Sequence, residues 1–77
     1  MKRAISETAI NVASLARDFN TDRGNAKLQS KLSAMVAGLS SEDFIGALHA
    51  ACRNGNSNSP ENFPIVKILN EMHKGRG

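Results

Sequence analysis

Apolar side chains in this chain recur every three to four residues in four separate stretches, and nowhere do they alternate over the length of a strand. That spacing dictates helix. A 3.6-residue repeat gathers such side chains on one side of a coil, whereas a half-buried strand needs a period of two. Ile5, Ala9, Val12, Leu15, Ala16 and Phe19 form the first stripe. Ser6 is its N-cap, because a hydroxyl there accepts an orphan backbone N–H, and Glu7 suits the positive end of the helix. Asn20 is expected to end this helix in a left-handed conformation.

The second stripe, Leu28, Leu32, Met35, Val36 and Leu39, follows Thr21-Asp22-Arg23-Gly24 and stops near Gly38 and Ser40. In the third, Ser40 or Ser41 caps the start, and Glu42 and Asp43 place negative charge in the first turn. Phe44, Leu48, Ala51 and Cys52 face inward there, and Gly55 is expected to close the helix. Asn54 to Ser59 reads as a polar turn. Pro60 suits a first helical position, but Pro64 disfavours helical geometry at Phe63, so the fourth helix is expected to start nearer Pro64 than Pro60. Its apolar arc of Ile65, Val66, Ile68, Leu69 and Met72 is broad, with Lys67, Asn70, Glu71 and Lys74 opposite. The expected fold is all-α: a compact bundle of four short helices, or three plus a short fourth, joined by connections of about 3 to 6 residues.

With 77 residues the chain makes one small helical domain, 1–77, with basic flexible ends at about 1–4 and 73–77. A core of that size supplies only a few kcal/mol of net stability. The single cysteine, Cys52, excludes an internal disulfide and fits a reducing, cytoplasmic setting. No stretch approaches the roughly 18 apolar residues that span a bilayer, and Glu7, Asn11 and Arg17 interrupt any signal-peptide run after Lys2 and Arg3.

The formal net charge is +3, yet between Ala4 and Met72 acidic and basic residues nearly balance. The surplus comes from Lys2, Arg3, Lys74 and Arg76 at the ends. A basic isoelectric point is the usual signature of a nucleic-acid binder, and confining it to the ends weakens that inference. With three Phe and no Trp or Tyr, stacking platforms for single strands are scarce.

Arg23, Lys27 and Lys31 recur every four residues and would form one basic stripe on a helix, away from Leu28, Leu32 and Leu39. Three cations neutralise about three phosphates at most, which gives weak, salt-sensitive binding. The run Val12–Leu28 loosely resembles a helix-turn-helix: Leu15, Ala16 and Phe19 match its packed first helix, and Asn20 stands where a turn glycine is usual. That resemblance implies a second helix entering the major groove. Thr21 in place of an apolar residue, Gly24 inside the second helix and Gln29 at a core position depart from it. Ile10, on the polar side of the first helix beside Ala13, is a candidate contact for a partner or a second copy.

His49 and Cys52 lie three apart, with His73 a third group that tertiary folding could bring near. A structural zinc site needs four ligands, and no second Cys/His pair is present. No nucleophile-base pair, paired carboxylates or phosphate-cradling glycine loop is evident, so no catalytic, cofactor or metal residues are assigned. The expectation is a non-enzymatic regulatory or adaptor protein that binds another protein through Arg23, Lys27, Lys31 and Ile10, with self-association open to it. The alternative is a small DNA-binding regulator using the 12–28 segment.

Overall fold

Three helix starts are set by a polar side chain directly before an apolar stripe. In the computed structural model, which describes residues 5–52 and 59–75, Ser6 Oγ accepts the Ala9 N–H at 3.1 Å and opens α1 (Glu7–Asn20). Asn25 Oδ1 accepts the Leu28 N–H at 3.1 Å and opens α2 (Ala26–Ala37). Ser40 Oγ accepts the Asp43 N–H at 3.1 Å and opens α3 (Ser41–Ala51). The fourth helix, α4 (Phe63–Gly75), is led in by a turn in which the Asn62 and Phe63 N–H groups donate to the Ser59 carbonyl. Pro64 therefore lies in the first turn, where its missing N–H costs nothing.

Ser6 has a second task. Its hydroxyl donates to Asp43 Oδ1 at 2.8 Å, which ties the start of α1 to the start of α3. Replacing Ser6 by alanine removes both bonds. Loss of the cap alone is expected to cost about 0.5–2 kcal/mol, read as a lower urea midpoint with an unchanged slope.

All four helices pack into one all-α bundle with a radius of gyration of 11.6 Å, close to that of a compact chain of this length. Helix α1 packs on each of the other three and most extensively on α3, while α4 also touches both α2 and α3. Helices α1 and α4 thus occupy the middle, with α2 and α3 on opposite flanks. Ser6 meets Asp43 at one end and Arg17 Nη2 donates to the Ala51 carbonyl at 2.7 Å at the other, so α1 and α3 run in the same direction. The Arg17 bond also satisfies a carbonyl at the end of α3 that has no intrahelical partner.

The core is Ala9, Val12, Ala13, Ala16 and Phe19 from α1, Leu32 and Val36 from α2, Ala47 and Ala51 from α3, Ile65, Ile68 and Leu69 from α4, and Leu39 from the α2–α3 connection. The α1–α3 seam is made of small residues. A Cβ on Gly46 would lie 3.3 Å from the Ala9 Cβ and 3.6 Å from Ile5 Cγ2, so glycine is what allows the two helices to come this close.

Several expectations change at the helix ends. Helix α1 does not end on a left-handed Asn20. Thr21 caps it with right-handed geometry, its N–H reaching Asp18 O at 3.2 Å and its hydroxyl at 3.0 Å, so two local bonds replace the conformational stop. Helix α3 stops at Ala51 with Cys52 as its cap, and Gly55 lies outside the described residues. The connection to α4 is consequently Cys52–Asn62, longer than expected. At the far end α4 continues through Gly75 where a tail was expected from His73, because His73 is anchored: its ring stacks on Phe44 with centroids 4.0 Å apart. The expected basic ends at 1–4 and 76–77 lie outside the described residues.

Candidate functional site

The basic stripe does not form as the sequence spacing implied. Arg23 sits in the turn before α2, not on the helix, because Asn25 caps α2 two residues later. Its guanidinium donates to Asn20 Oδ1 at 2.7 Å, and it lines a groove of about 330 Å³ with Phe63, Pro64, Lys67, Ile68 and Glu71. Lys27 and Lys31 are exposed on α2 as expected. Arg23 and Lys67 of α4 are thus brought together in one groove, which Lys27 and Lys31 do not line. The connection between α1 and α2 takes five residues, Thr21–Asn25, where a helix-turn-helix uses about three or four.

Ile10 is 50% exposed, on the side of α1 the sequence assigned it. It does not stand alone. Ile5 and Ile45 are 40% and 54% exposed, and both line a groove of about 460 Å³ with Ser6, Glu42, Asp43, Gly46 and His49. A second hollow, lined by Ile10, Ala13, Ser14, Arg17, Asp18 and Ala50, continues it. Ser6 and Ile10 are one helical turn apart on α1, as Gly46 and Ala50 are on α3, so both hollows belong to one outward-facing seam between the parallel helices.

The floor of this seam follows from residue size. Gly46, Ala13 and Ala50 are too short to fill the surface between two helices held close together, and the larger isoleucines stand up at its edges. Ile45 and the α1–α3 pairing escaped the sequence reading. The signal present was weak: small residues at Ala9, Ala13 and Ala16 and at Gly46, Ala47 and Ala50, each set at helical spacing.

His49 is exposed in the groove, Cys52 is half-buried at the end of α3, and His73 packs on Phe44 with its Nε2 buried and without a hydrogen-bond partner among the described residues. No three His, Cys, Asp or Glu side chains among the described residues cluster to hold a metal. No helix among them is long and apolar enough to cross a membrane.

The class these features define is an all-α, four-helix protein, among the described residues, with an apolar groove between α1 and α3 and a second groove where Arg23 and Lys67 meet at the start of α4. The sequence matches no model of a known protein family and no curated protein, and the fold matches no solved structure. What the protein does must therefore be read from its own surface.

Proposed function

We propose that this is a small, non-enzymatic regulatory or adaptor protein of the cytoplasm that works by binding another polypeptide in the α1–α3 seam. The observation that carries this reading is that Ile5, Ile10 and Ile45, three of the four large exposed apolar side chains among the described residues, line hollows of this seam, Ile5 and Ile45 in one and Ile10 in the other. Single exposed apolar residues are ordinary. Three that line the two hollows of one seam with a Gly/Ala floor are a surface that gains by covering. The chemistry suits an amphipathic helix or extended segment that seats apolar anchors between the isoleucines.

Ile45→Asp places a charge in the groove without touching the core, since Ile45 is more than half exposed. The test is affinity capture from nuclease-treated native lysate with the wild type and Ile45→Asp in parallel. A stoichiometric polypeptide held by the wild type and reduced at least about tenfold by the variant supports the reading. Equal recovery by both removes it.

The second reading, a small DNA-binding regulator, draws support from Arg23 and Lys67, which share one groove, and from the exposed Lys27 and Lys31 on α2 and Lys74 on α4. Co-recovery of duplex DNA, abolished by nuclease with no polypeptide left behind, would favour it over the first.

A further inference from the structure

The two edges of the bundle are complementary in both shape and charge. Among the described residues, α1 and α3 carry Glu7, Asp18, Glu42 and Asp43 against Arg17. Helices α2 and α4, with the turns that lead into them, carry Arg23, Lys27, Lys31, Lys67 and Lys74 against Asp22, Glu61 and Glu71. The near-neutral body is thus an acidic helix pair joined to a basic one.

Each edge also has one apolar feature. On the acidic edge it is a hollow: Ile5, Ile45 and Gly46 line the 460 Å³ groove, and Glu42 and Asp43 line it with them. On the basic edge it is a ring: Phe63, 51% exposed at the start of α4, shares its groove with Arg23 and Lys67, and with Glu71 as the one acid there. Phe63 is the fourth of the large exposed apolar side chains among the described residues, and it lines neither hollow of the seam on its own molecule.

We propose that the occupant of the α1–α3 groove is a second copy of this chain, inserting Phe63 between Ile5 and Ile45 while Arg23 and Lys67 face Glu42 and Asp43. This rests on the reading of that seam as a polypeptide-binding site and names the polypeptide. Aromatic residues and arginine are enriched at protein interfaces, and Phe63 beside Arg23 supplies both. The opposed charges set orientation and speed encounter. The contact is heterologous, because groove and ring are different patches of the surface, so a bound pair still offers one free groove and one free ring and association extends head to tail.

Sedimentation velocity on the full chain tests this at low salt, from about 10 μM to about 1 mM, a span that covers weak association. The wild type is expected to sediment faster as concentration rises, and less so as added salt screens the flanking charges. Phe63→Ser and Ile45→Asp, each with wild-type circular dichroism, are each expected to weaken association at least about tenfold. Mixed together they should form a 1:1 heterodimer and stop there, since the mixture retains one intact ring and one intact groove. A wild type that stays monomeric throughout, association that survives either substitution, or variants that fail to complement overturns the proposal. A monomeric wild type whose captured foreign polypeptide is kept by Phe63→Ser and lost by Ile45→Asp overturns self-association alone and leaves the groove as the binding site.

Discussion

Leu69→Ala is expected to leave the protein largely unfolded at physiological temperature. Leu69 is fully buried on α4, among the largest such side chains among the described residues, and α4 contacts all three other helices. Truncating a leucine at such a site costs about 2–5 kcal/mol, through lost transfer energy and the cavity left behind. A single core of this size rarely supplies more than about 3–5 kcal/mol in total, so one substitution removes most or all of the margin. Thermal and urea unfolding followed by circular dichroism would measure it. Val66→Ala on the same helix, where the side chain is only half-buried, should cost clearly less. A Leu69→Ala cost below about 1 kcal/mol would mean that α4 does not hold the centre of the bundle.

Gly46→Val has the next largest expected effect, and its comparison with Gly46→Ala isolates the cause. Alanine adds one methyl at 3.3 Å from the Ala9 Cβ, a crowding opposed by the roughly 0.5–1 kcal/mol by which alanine surpasses glycine inside a helix. The net change should be small. Valine adds two further carbons where α1 and α3 already touch, and the helices must separate. Overpacking of this kind costs about 1–3 kcal/mol. Separation also stretches the Ser6–Asp43 bond that joins the helix starts. Urea midpoints for the three proteins decide it. If alanine and valine are tolerated equally, the seam is not held as close as the Gly46–Ala9 approach requires.

The helices were legible because their signals are local. Of the first stripe, Ala9, Val12, Ala16 and Phe19 are buried as the spacing required, while Leu15 is half-buried and Ile5, which precedes α1, is 40% exposed; Ser6 and Ser40 cap where a hydroxyl precedes an apolar run. Ala13 was misjudged as outward-facing because alanine carries little hydrophobic signal, and only the approach of α3 shows that it is covered. His73 was taken for a tail residue because nothing near it in sequence anchors it. Its partner, Phe44, is on another helix. Arg23 was assigned to a helical stripe because period-four spacing cannot tell a helix from the turn before it, and the choice of Asn25 as cap decided the matter.

By itself the sequence determined that the chain is helical, roughly where each helix begins, and which faces are apolar, since these depend on residues within a few positions of one another. Only the tertiary structure decided that α1 runs parallel to α3, that Ile45 of α3 shares a groove with Ile5 just before α1, and that Arg23 comes beside Phe63 and Lys67 of α4. Those outcomes depend on which helices pair. Pairing is set by the summed fit of small side chains such as Ala9 against Gly46, 37 residues apart, and no local pattern records it.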